Sequence, residues 1–87
     1  MNSDERIPVW VMYDHPIDFP DSFVCRQWWL TIPEEGEPFE ESAEVLFTVP
    51  TLNAAHRQLP KDLKNIVQAI RELMGTQLDR KIVEIWL

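Results

Sequence analysis

The chain has 87 residues, 45% of them hydrophobic, and a formal net charge of −7. That length supports one hydrophobic core and not two, and the apolar content, with four Trp and four Phe, excludes an intrinsically disordered chain. The negative field makes direct nucleic-acid binding a poor expectation, and the lone cysteine, Cys25, rules out an internal disulfide and suits a reducing compartment.

Residues 1–7 read as a polar tail, and residues 8–87 as a single domain. The opening MNSDERIPV lacks an apolar signal-peptide segment, and no later run approaches the roughly 18 apolar residues of a membrane span. A cytoplasmic protein with no membrane partner is the expectation. Pro8 precedes Val9–Tyr13, a run of β-branched, aromatic and apolar residues that reads as a strand. Residues 14–22 carry Pro16 and Pro20 among aspartates and form a tied-down loop, with Ile17 or Phe19 pinned inward. Phe23–Ile32 is the second strand, antiparallel to the first. Residues 34–44 hold six glutamates and favour an exposed, expanded loop. Glu44–Val49 makes a short third strand.

Thr51 is positioned to cap a helix over Leu52–Leu59, which Pro60 interrupts. A longer helix follows over Lys61–Met74, where Leu63, Ile66, Val67, Ile70, Leu73 and Met74 recur as one apolar stripe. Gly75 stands where a left-handed C-terminal residue is expected. Lys81–Leu87 closes the chain as a strand too apolar to be a tail. The fold expected is α+β: a small two-layer domain with a three- or four-stranded, largely antiparallel sheet, one or two helices on one face, and the order β-β-β-α-α-β.

Period-two alternation assigns Val9, Val11, Tyr13, Phe23, Cys25, Trp29, Val83, Ile85 and Leu87 to the core face. The other face would then display Trp10, Met12, Arg26, Trp28, Ile82, Glu84 and Trp86, with Arg26 and Glu84 able to pair across strands. Such a face is either covered by a loop or the first helix, paired in a homodimer, or open to another protein. Trp10, Arg26, Trp28, Glu84 and Trp86 are therefore the candidate interaction residues.

Organised chemistry is sparse. Asp14, His15, Asp18 and Asp21 offer metal ligands, but their spacing fits no common site and the prolines restrict convergence; capping of a rigid turn at Pro16, Asp18 and Pro20 is expected, and no metal. Cys25 falls within a strand facing the core, whereas an activated thiolate needs an accessible, electropositive setting. His56, beside Arg57, reads as solvated. The glutamates of 34–44 lack the fixed separation that catalytic pairs need. With Gly36 and Gly75 as the only glycines, a glycine-rich phosphate loop is excluded. No catalytic residue and no cofactor is expected.

The string VWVMYDHPIDFPDSFVCRQW, together with the ending IVEIWL, resembles a family of small uncharacterised bacterial and phage proteins. That pattern has an opening strand, a Pro-x-Asp-x-Pro turn, a Phe-Val-x-Arg-x-Trp strand and an Ile-Val-Glu-x-Trp-Leu C-terminus. Tyr13, Pro16, Asp18, Pro20, Phe23, Val24, Arg26, Trp28 and residues 82–87 carry the likeness, whereas the helix at Lys61–Met74 is less typical. The resemblance implies a compact domain and no assigned activity. The function expected is that of a non-enzymatic bacterial or phage accessory protein acting through a protein partner or self-association. An acidic mimic of nucleic acid is one version of it. The alternative is a small-ligand binder or enzyme using Arg26 with Asp18 or Glu84.

Overall fold

Branched and aromatic side chains lose χ1 freedom in a helix and pack well on a pleated surface, so the first half of the chain is extended. The computed structural model describes residues 6–31 and 39–87. The chain forms strands β1 (Arg6–Asp14), β2 (Phe23–Thr31) and β3 (Phe39–Val49), helices α1 (Leu52–Gln58) and α2 (Val67–Met74), a single 3-10 turn at Gly75–Gln77, and strand β4 (Ile82–Trp86). All strand pairs are antiparallel, in the order β3-β2-β1-β4. This is the expected α+β fold with the expected element order. No helix among the described residues is long and apolar enough to cross a membrane.

Two strands are longer than local composition suggests. β1 begins at Arg6, inside the stretch read as a tail; residues 1–5 of that tail lie outside the described residues. β3 begins at Phe39, within the glutamate-rich stretch, because its backbone pairs with β2 from Phe39↔Leu30 onward. Ladder hydrogen bonds along β2 outweigh the repulsion of neighbouring carboxylates. Residues 34–38 of the expected acidic loop, and Ile32, lie outside the described residues.

α1 forms where expected, and the Thr51 hydroxyl accepts the Ala54 N–H at 3.1 Å. α2 is shorter than its apolar stripe. Pro60 and the left-handed Asp62 (φ 69°) stop helix from forming over the first residues. Lys64 and Leu87 then exchange backbone hydrogen bonds, both at 3.0 Å, and the Ile66 N–H donates to the Ile85 carbonyl at 2.7 Å. Asn65 forms an isolated antiparallel bridge with Trp86, and its side-chain oxygen accepts the N–H groups of Val67 and Ile85. Segment 64–66 thus closes the C-terminal part of the outer edge of β4, at Ile85 and Leu87, which helical geometry would have prevented. Leu73, expected on the buried stripe, is 69% exposed.

The helices lie against opposite faces rather than together on one face of a two-layer domain as expected, because both faces of the central strands are apolar and each needs a cover. On one face, Val67 and Ile70 of α2 pack with Val9, Val11, Tyr13 and Ile85, which were expected on the core face, and with Val24 and Ile82, which were not. Ala55 of α1 packs with Met12, Cys25 and Val49 on the other, bordered by Trp10, Phe23, Phe47 and Val83.

Register corrects two face assignments. Val9 pairs with Trp28, Val11 with Arg26 and Tyr13 with Val24. Directly opposed residues share a face, so Arg26 and Trp28 lie on the α2 side, while Phe23 and Cys25 lie on the α1 side. Both faces of β2 are largely apolar, and alternation alone could not orient it. In β4 a bulge falls between the Met12–Glu84 and Tyr13–Ile82 pairs. The extra residue turns Ile82 into the α2-side core and Val83 to the α1 side, the reverse of strict alternation. Gln27 is buried, and its amide donates to the carbonyls of Val9 and Trp28.

Cys25 is fully buried, and burial pushes its thiol from 9.0 up to about 12. The unfolded chain releases this proton at lower pH than the native protein does. The contribution is therefore intact below about pH 9 and lost as pH rises toward 12, by at most about 1.4 kcal/mol per pH unit. Cys25→Ala should lose less stability than the parent when urea unfolding is compared at about pH 7 and about pH 10.5. Equal losses would exclude the thiol as a contributor.

Candidate functional site

The five candidate residues fall into two groups, separated by the thickness of the sheet. Arg26 shares a cross-strand row with Val11 and Ile85. Glu84, one residue further, projects from the opposite face, so the expected Arg26–Glu84 pair does not form.

On the α2 side, Tyr13 organises the first group. The Trp28 indole N–H donates to the Tyr13 hydroxyl at 3.1 Å, and the Arg26 guanidinium lies over the Tyr13 ring, 5.7 Å from its centre. Arg26 also bonds the Asp18 carboxylate, which fastens the β1–β2 loop to β2. That loop folds as the proline pattern suggested. The Phe19 N–H donates to the Pro16 carbonyl at 2.9 Å, and the His15 N–H to the Ser22 carbonyl at 3.0 Å. Pro16 is buried, Phe19 packs on the core, and Ile17 points outward, 95% exposed. The guanidinium is thus engaged as a structural tie, a use that competes with clamping a free anion.

On the α1 side, Trp10, Glu84 and Trp86 meet a residue that sequence reasoning left in solvent. His56 Nε2 lies 2.9 Å from both Glu84 carboxylate oxygens, and its ring meets Trp86 edge-to-face at 5.5 Å. The Trp86 indole N–H donates to the same carboxylate at 3.0 Å. His56 sits in the last turn of α1, so this cluster ties the helix to β4 across β1. The signal was weak in the sequence, because 28 positions separate the partners. Trp10 packs on the neighbouring apolar cluster. The first helix therefore covers part of this face, one of the three arrangements considered above.

Replacing His56 with Ala should cost under about 1 kcal/mol, since the imidazole is partly solvated. Glu84→Ala should cost about 1–2 kcal/mol, because the less exposed carboxylate serves two donors and leaves the Trp86 N–H without its partner. Thermal melts of the two variants check the order; a larger loss for His56→Ala would reverse the assignment of Glu84 as the centre.

The remaining candidates stay apart. The His15 imidazole contacts Asp14 and meets Phe23 edge-to-face, and Asp18 is held by Arg26. Among the described residues no group of three or more His, Cys, Asp and Glu side chains is placed to hold a metal. Comparison with family models, curated proteins and solved structures finds no match to this chain.

Proposed function

We propose that this chain is a small non-enzymatic accessory protein, of bacterial or phage type and cytoplasmic, that acts by adding an extended basic segment of another protein to the outer edge of β3. The asymmetry of the sheet's two edges carries this reading. The C-terminal part of β4 is closed by segment 64–66, and the Ile82 carbonyl accepts from Arg71. β3, 11 residues long, stands at the other end of the strand order, and among the described residues no strand pairs with its outer side. An open edge is a template for strand addition, in which main-chain bonds provide affinity and flanking side chains select the partner. β3 carries Glu40, Glu41 and Glu44. Two copies paired through this edge would bring like charges together, whereas a basic segment is attracted. The charge pattern thus favours a different protein over self-association.

The test is hydrogen exchange of the protein with a synthetic peptide that alternates lysine and valine. Protection is expected along β3 and not along β4, and charge reversal at Glu41 and Glu44 should weaken it. A copy of the peptide N-methylated along one edge should bind much less. Protection elsewhere, indifference to N-methylation, or a dimer by light scattering that masks β3 would each overturn the proposal.

A further inference from the structure

Between the end of α2 and the start of β4 lies an open cleft of about 350 Å³, lined by Arg71, Gly75, Thr76, Leu78, Asp79 and Arg80. This volume is at the lower end of small-molecule sites. The Arg71 guanidinium is held in place, because Nη2 donates to the Ile82 carbonyl at 2.9 Å. One donor is used there, and a guanidinium has five. Arg80 stands in the turn leading into β4 and contributes a second positive group to the wall. Asp79 is occupied locally, its carboxylate accepting the Lys81 N–H at 2.8 Å.

Gly75 lines the cleft at the end of α2. Its φ of +58° is a conformation that side-chain-bearing residues rarely adopt, and a Cβ built there would meet nothing within 4 Å. Space is open directly beside the backbone, with the Thr76 hydroxyl next in sequence. The α2 dipole accounts for one basic residue in the last turn, Arg71. It accounts for neither Arg80 nor the open space at Gly75.

We infer that this cleft is a binding site for a small phosphate monoester, with Arg71 and Arg80 pairing the phosphoryl oxygens and Thr76 supplying a hydroxyl donor. Planar guanidinium groups match phosphate oxygens with paired hydrogen bonds. Two arginines outweigh the Asp79 carboxylate and the negative C-terminal pole of α2, so the formal charge around the cleft is positive on a protein of net charge −7. A polyanion would be repelled by the rest of that charge, whereas a single phosphate within the cleft feels mostly its own walls. The site is remote from the β3 edge and independent of any partner there.

The experiment is a titration of the isotopically labelled full chain with inorganic phosphate and with O-phosphoserine, followed by backbone amide shifts, with serine and sodium chloride as controls. Saturable shifts confined to Gly75, Thr76 and residues 78–81 are expected, with a dissociation constant on the order of 1 mM. O-phosphoserine binding more tightly than phosphate would place the ester group in the cleft as well; equal affinity would reduce the ligand to the free oxyanion and overturn the ester assignment. Arg80→Gln should weaken binding about 10-fold with an unchanged melting temperature. Thr76→Val gives a second variant at an exposed position, expected to weaken binding less. Absence of saturable shifts up to about 10 mM overturns the inference, as do shifts spread over Arg57, Lys61 and Lys64 or shifts that persist undiminished in Arg80→Gln.

Discussion

A chain ending at Glu84 is expected not to fold. The deletion removes Ile85, which is 2% exposed and packs within the cluster of Val11, Ile70 and Ile82. It also removes Trp86 and Leu87, both half-buried. The backbone losses are as serious: the Lys64–Leu87 exchange, the Ile66–Ile85 bond and the Asn65 bridge all vanish, and with them the closure of the C-terminal part of the β4 edge. Losing one buried isoleucine costs about 2–5 kcal/mol, and a domain of this size has only about 4–13 kcal/mol in total. Far-ultraviolet circular dichroism and methyl dispersion in proton NMR would check this. A native-like cooperative melt of the truncated chain would refute it.

Ile82→Ala carries the second large effect, about 2–4 kcal/mol, whereas Val83→Ala should cost about 1 kcal/mol. Ile82 has no exposed surface and lies among the residues that receive α2, while Val83 is half-buried at the border of the smaller cluster. Strict alternation along β4 ranks the two the other way round, so urea denaturation of this pair tests the bulge itself. Comparable losses, or a greater loss at Val83, would mean that the strand runs through without the extra residue.

The same bulge illustrates what was legible in the chain and what was not. Strand runs such as Val9–Tyr13, the Thr51 cap, the proline-bound turn and the apolar C-terminus are local signals, and each produced its element close to its expected place. The length of α2 was not legible. Leu63 and Ile66 keep helical spacing with Ile70, but the period contains no information about the β4 edge that competes for residues 64–66. The candidate site divides in the same way. Trp10, Arg26, Trp28, Glu84 and Trp86 were visible as chemically conspicuous residues, yet their grouping required the β1–β2 register and the bulge in β4. His56 was passed over because its partner comes from a strand 28 residues away.

Hydrophobic pattern and turn chemistry by themselves determined that this protein is an α+β domain with a three- or four-stranded sheet, one or two helices and a final strand at Lys81–Leu87 that belongs to the core. These properties follow from dihedral preferences and solvent exclusion, which act within a few residues. Tertiary structure alone decided which face of β2 meets α2, that Arg26 belongs to Asp18 and Glu84 to His56, and which sheet edge is partly closed. A one-residue shift in pairing moves a strand's side chains to the opposite face, and long-range hydrogen bonds set that shift. The tryptophan-bearing sheet consequently has two differently covered faces and, among the described residues, one edge that no strand pairs.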